Sequence, residues 1–295
     1  MKILDFHTHA GDFYRLREDI QELLTRRPME QGVDITLVLS DPKHLAKYIK
    51  SYGVEVGIVF AECGPGTNFS IDSELVANFC KNHEMLIPFG NINPNFHNNV
   101  IDEFWKSMKM GVKGFKFYPA DHSFDPNTKV MKDIYQLCDT FHLPVVFHTG
   151  LTAQKDTEQK FIRPQIFEEI AAENPDLVLI LAHGGKPNWH TEAVDMITKF
   201  ENVYVDTGLV EPKNWETVFP NLEKTSHKIL FGSDFPVCGS YKVLLDKISD
   251  ANIQKEFLEN IMYWNGKRLL QKVLDKQIEI MPLLHKKLQS LANNQ

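Results

Sequence analysis

Two histidines one residue apart open the chain, in Asp5-Phe6-His7-Thr8-His9. On a strand, residues i and i+2 leave the same face, so both imidazoles would stand side by side. Such a pair can hold one side of a divalent metal ion. Further along, His148, His183 and Asp234 each end an apolar run and precede Thr149-Gly150, Gly184-Gly185 and Phe235-Pro236. Three imidazoles and a carboxylate suit a zinc-like ion with one position left open for water. A fourth histidine nearby can orient a substrate or exchange protons with it. A single histidine at a strand end is usually a hydrogen-bonded structural residue. Five ligand-competent residues that all close apolar strands form a collective signal.

What must position them is a series of strands and helices. Apolar, β-rich runs cover the opening residues to His9 and then residues 54–60, 86–92, 112–118, 144–148, 177–183, 203–206 and 228–234. Helical spacing appears between them, over residues 73–83, 98–110, 130–141, 164–172, 191–200 and 214–222. Residues 34–39 read equally as a short strand or the start of an apolar helix. Strands written as continuous apolar runs and alternating with helices indicate a parallel sheet covered by helices. Eight such repeats predict an α/β fold, a (β/α)8 TIM barrel, with additional C-terminal helices: one with Ile253, Phe257, Ile261 and Trp264 on a stripe, another after Pro282. No glycine-rich phosphate loop follows the first strand, which argues against a dinucleotide-binding sheet. The 295 residues are read as one domain, 1–295. In such a barrel the strands' C-terminal ends carry the active site, and the five residues lie there.

Composition sets the remaining bounds. The chain is 43% hydrophobic and 24% charged, with a net charge of -7, as for an ordinary globular enzyme. The acidic balance speaks against nucleic-acid binding. No apolar run approaches the ~20 residues of a membrane span. The immediate entry into a strand leaves no room for a signal peptide, and the four cysteines show no CxxC or disulfide-like spacing; a cytoplasmic location is expected. The partner expected is a small-molecule substrate, and the apolar stripe of the tail suggests a homodimer.

Taken together, HxH on the first strand, His148 in Phe147-His148-Thr149-Gly150, His183 in Leu181-Ala182-His183-Gly184-Gly185 and Asp234 in Phe231-Gly232-Ser233-Asp234-Phe235-Pro236 resemble the amidohydrolase superfamily. The likeness is to its amidohydrolase-2 branch, which includes aminocarboxymuconate-semialdehyde decarboxylase, and it runs through Ile261–Leu269. The resemblance implies that His7, His9, His148 and Asp234 hold the metal and that His183 is a catalytic residue beside it. Asp234 would also take part in proton transfer. One divalent ion is implied, zinc before manganese. Some superfamily members bridge two metals through a carboxylated lysine on the fourth strand, where Lys116 lies, but a binuclear site is the less favoured reading. Lys116, Tyr118 and Arg163 are the expected substrate contacts.

Two reactions suit this set. In metal-assisted hydrolysis of an ester, lactone or amide, the ion lowers the pKa of a bound water from 15.7 towards about 7. Asp234 would accept its proton, and His183 would polarise the carbonyl. The alternative is non-oxidative decarboxylation of a small aromatic or unsaturated acid, which needs cations such as Lys116 and Arg163 to receive the acid. Hydrolysis is favoured. Asp5 and Asp206 are candidates to fix ring tautomers, and Glu62, Phe124, Trp189 and Trp215 to shape the pocket. A non-catalytic scaffold barrel is the rival from another class; the presence of both His183 and Asp234 argues against it.

Overall fold

The computed structural model describes residues 1–64, 67–152, 159–220 and 222–292. Eight strands follow one another: β1 Ile3–His9, β2 Val54–Phe60, β3 Leu86–Phe89, β4 Phe115–Phe117, β5 Val145–His148, β6 Leu179–Ala182, β7 Val203–Asp206 and β8 Ile229–Leu230. All ladders are parallel, in two sets, β1-β2-β3 and β4-β5-β6-β7-β8. Backbone hydrogen bonds join the sets at both seams. Lys116 N donates to Gly90 O at 2.8 Å, and Phe6 N to Phe231 O at 2.8 Å. At the second seam Asp234 N also donates to His7 O, and His9 N to Phe235 O. The strands thus run round in chain order and return to β1, the arrangement of a TIM barrel.

Alternation along the strands sorts the core into two shells. Leu4, Phe6, Ile58, Phe60, Phe89, Val146, Ile180, Ala182 and Leu230 fill the barrel, where Tyr263, Leu269 and Val273 of the C-terminal helices pack against them. Ile3, Val59, Phe115, Phe117, Val145, Phe147, Leu179, Leu181, Val203, Val205 and Ile229 face the helices outside.

Most strands are shorter than their apolar runs. Residues 91–92, 118, 183 and 231–234 lie beyond the ladders, and His183 and Asp234 are on such ends, whereas His7, His9 and His148 are within β1 and β5. Residues 34–39 resolve as a helix, Ile35–Ser40, because the Asp34 side chain accepts from Thr36 N and Leu37 N and caps it. The helix expected over 164–172 begins as a 3-10 turn, Pro164–Phe167, before Glu168–Glu173. The one expected over 214–222 is split into Trp215–Val218 and Leu222–Thr225, with Pro220 between them. The tail also differs. Lys255–Glu259 widens into a π turn, Asn260–Trp264, and continues as Asn265–Ala292 through Pro282. The wide turn buries Ile261, Met262 and Tyr263 and leaves Trp264 43% exposed, off the expected stripe.

Candidate metal centre

On plain alternation β1 would send its histidines the wrong way. Ile3 is in the outer shell, Leu4 and Phe6 in the inner one, so His7 and His9 would follow Ile3 and Asp5 outward. The β1–β2 register shifts between Asp5 and Thr8: three steps on β1 match two on β2, from Gly57 to Val59. This extra residue re-aims the end of the strand, as bulges beside active sites do. His9 then pairs with the inward-facing Phe60, and the His7 ring stands 4.9 Å from the Phe60 ring. Asp5 holds the bend: its Oδ1 accepts from His7 N and Ser233 N at 2.9 Å each, and Tyr241 OH donates to its Oδ2.

The other ligand candidates come from strand ends. His148 closes β5 two residues after the inward Val146. His183 and Asp234 sit in the left-handed region, with φ of 63° and 59°, a conformation that costs a non-glycine residue and here turns the chain just past β6 and β8. Asp234 Oδ1 lies 3.1 Å from His7 Nε2 and 3.2 Å from His9 Nε2. His7, His9 and Asp234 form one group whose ligand atoms lie within 4.8 Å of one another; His7, His183 and Asp206 form a second. His148 is outside both groups, with its ring 4.7 Å from that of His183. Its buried Nε2 has no hydrogen-bond partner among the described residues.

Asp206, at the end of β7, ties the site together. Its Oδ2 is 2.9 Å from His7 Nδ1, and its Oδ1 accepts from His183 N. Paired at Nδ1, the His7 ring keeps Nε2 for the side of Asp234. Asp206 fixes a ring, as expected, whereas Asp5 holds backbone. His183 Nδ1 is 2.9 Å from Gly208 O. A carbonyl only accepts, so that nitrogen carries the proton and Nε2 keeps a lone pair.

The charges fit a cation. Burial raises and His7 lowers the Asp234 carboxyl, and the result is well below the carboxylate range. Burial drives His9 down to about 4 and pushes His148 and His183 well below the ordinary imidazole value, so these rings are neutral with free lone pairs. Burial and Lys116 lower His7, but Asp206 and Asp234 outweigh them and hold it above its usual value. The Asp234 carboxylate and the unprotonated imidazoles of His9, His148 and His183, with an orphaned buried nitrogen among them, are donors that a divalent transition metal takes, and His7 would join them by giving up the proton that Asp206 and Asp234 favour.

A cavity of about 110 Å³ opens beside this cluster and is lined by His9, His148, His183 and Asp234. Tyr118 lines it too, with its OH donating to Ala61 O at 3.3 Å. Lys116 points into the barrel, Nζ 3.5 Å from His7 Nε2 and 4.7 Å from the Phe60 ring centre, and burial lowers its pKa to about 8. Arg163 is not at the cavity: it is the N-cap of the Pro164 turn, its side chain 52% exposed and paired with Glu192 on the surface. Glu62 does line the cavity; Phe124 and Trp215 are in the outer core, and Trp189 packs against the cluster of Ala120, Phe161 and Ile162. Sequence reasoning missed Asp121 and Lys186, both in the cavity wall. Their signal was position alone, three residues beyond Tyr118 and His183 at the ends of β4 and β6.

A parallel barrel with buried histidines and a carboxylate converging on its C-terminal rim defines a metal-dependent enzyme of the amidohydrolase type. Residues 5–272 match the Amidohydro_2 family, described as amidohydrolase, and the chain belongs to that family. Among solved structures, an uncharacterised TIM-barrel protein from Bordetella bronchiseptica is similar at 19% identity and TM-score 0.71, over 92% of this chain and 99% of that one. A 2,6-dihydroxybenzoate decarboxylase from Rhizobium is similar at 14% identity and TM-score 0.63, over 92% and 99%. A probable 2-pyrone-4,6-dicarboxylic acid hydrolase from Acinetobacter baumannii is similar at 12% identity and TM-score 0.62, over 91% and 99%. These likenesses speak to the fold. No curated protein matches the chain. Among the described residues no helix is long and apolar enough to cross a membrane.

Proposed function

We propose that this protein is a metal-dependent hydrolase of an ester, lactone or amide bond in a small organic substrate. The observation that carries the reading is Asp234 Oδ1 standing between His7 Nε2 and His9 Nε2 beside the cavity. His7, His9, His148 and Asp234 would hold one divalent ion, zinc before manganese. When bound, such an ion supplies Lewis acidity and a water of lowered pKa.

The chain's own groups do the rest. His183, with its proton on Nδ1 facing Gly208 O, offers Nε2 as an acceptor for the proton lost by an attacking water. That role suits the ring better than polarising a carbonyl, for which Nε2 would have to carry a proton. Asp206 keeps His7 and His183 in register while charge changes beside them. Leu151, Leu209 and Val237 line the cavity and limit water around the reacting bond. Lys116 stays under the metal ligands as a fixed cation, and a mononuclear site is preferred to a lysine-bridged pair.

Decarboxylation is the second reading, and one observation favours it: Lys186 in the cavity wall supplies the acid-receiving cation that Arg163 does not. Zinc-loaded protein offered a panel of lactones, aryl esters and anilides separates the two when assayed beside hydroxybenzoates with CO2 detection. Turnover of the first group supports hydrolysis. CO2 release with no ester, lactone or amide cleavage would overturn it, and a protein that takes up neither zinc nor manganese would overturn both.

A further inference from the structure

The cavity has two unlike walls. Glu62 follows β2 and is 3% exposed; Asp121 follows β4 and is 7% exposed. Both line the cavity, and each carboxyl is held in place: Asn68 N donates to Glu62 Oε1 at 3.1 Å, and the Thr152 side chain hydrogen-bonds Asp121. They are close enough for the Asp121 charge to act on Glu62. Lys186 follows β6, four strands round an eight-stranded barrel from β2, and therefore stands across the cavity from Glu62. The charges it feels are those of Asp234 and Asp206, on the metal side. Phe69, Leu151 and Leu209 supply the apolar surface between the two walls.

We propose that Glu62 and Asp121 are specificity-determining residues that select substrates presenting a hydroxyl or amine to the β2–β4 wall and exclude those presenting a second carboxylate there. At neutral pH Asp121, raised only to about 6, is ionised, while Glu62, raised to about 8, keeps its proton, so a second carboxylate against this wall would meet one buried like charge, only partly offset by Lys116, a juxtaposition that costs where water is scarce. A hydroxyl or amine donates into the same wall and satisfies it. The acyl or carboxyl end of the substrate then lies towards Lys186 and the metal ligands. The inference rests on the metal-site reading above and narrows its substrate class to small acids or acyl compounds with a donor at the far end.

The test uses zinc-loaded full-length protein and three probes that differ only at the distal position: 3-hydroxybenzoate, 3-aminobenzoate and isophthalate, titrated calorimetrically at neutral pH, with zinc content measured on the same samples. The donor-bearing probes should bind at least about tenfold more tightly than isophthalate. Asp121→Asn combined with Glu62→Gln should narrow that ratio to about threefold or less, and Lys186→Met should weaken all three without changing their order. If the double variant does not fold, Asp121→Asn alone and the wild-type order decide. Isophthalate binding as tightly as the hydroxy acid, an order untouched by the wall substitutions, or no binding of any probe to zinc-loaded protein would overturn the selectivity. Failure to take up zinc would instead overturn the metal reading on which it rests.

Discussion

Asp206 joins His7 to His183: one carboxylate oxygen lies 2.9 Å from His7 Nδ1, the other accepts the His183 backbone N–H at 2.9 Å. The side chain of one residue and the backbone of another, from strands five apart in the chain order, are thereby held by one buried group on a third. Burial raises and His7 lowers its pKa, with a net shift downwards that keeps it ionised. Asp206→Asn should leave the fold intact while metal affinity or turnover falls by about 10–100-fold, the usual effect of losing a ligand's outer partner. Competition with a chromogenic chelator measures the affinity, and unchanged affinity together with unchanged turnover would refute the orienting role.

Asp234→Asn and His148→Ala act on the proposed ligands directly. The first removes the anionic oxygen shared by His7 and His9. The second removes the orphaned buried nitrogen in the cavity. Each should abolish detectable turnover with the circular dichroism spectrum retained. Full activity in either variant would break the assignment.

Gly232 has no room for a side chain. A Cβ there would stand 2.8 Å from His7 Cβ and 3.1 Å from Asp206 Cγ. Gly232→Ala should therefore cost about 1–3 kcal/mol of stability, as overpacking does, and displace the very pair that Asp206 orients. Denaturant midpoints and zinc binding would both fall; a variant equal to the parent in both would show that the neighbours yield without cost.

Glu62 makes stability depend on pH. Burial pushes its carboxyl up to about 8, from an ordinary 4.5. Between those values the unfolded chain releases a proton that the folded chain keeps, so the folded state binds more protons and loses stability as pH rises through that window. The effect is about 5 kcal/mol when complete. In metal-free protein, the stability of Glu62→Gln relative to the parent should rise from pH 5 to pH 8. Parallel pH profiles for the two proteins would contradict the shift.

Arg163→Ala is the contrasting case. Its guanidinium is on the surface with Glu192, and exposed pairs of this kind contribute about 0–1 kcal/mol. Turnover and substrate KM should be unchanged; a tenfold rise in KM would place the residue at the substrate after all.

Much of this protein is determined locally. Apolar runs alternating with helical spacing state the eight strands and their order, because a strand buried on both faces needs continuous Val, Ile, Leu and Phe. The positions of His7, His9, His148, His183 and Asp234 at strand ends follow from the same runs, as does the inward parity of Lys116 between Phe115 and Phe117. The direction of the first two histidines does not. Strand alternation alone would point them outward, and only the extra residue taken up between Asp5 and Thr8 against β2, braced by Ser233 and Tyr241 from the far end of the chain, turns them inward. Lys186 and Asp121 became wall residues, and Arg163 a surface one, through loop paths that no periodicity encodes. Strand identity depends on near neighbours in the chain; which charges share a cavity depends on contacts across more than a hundred residues, and those exist only once the barrel has closed.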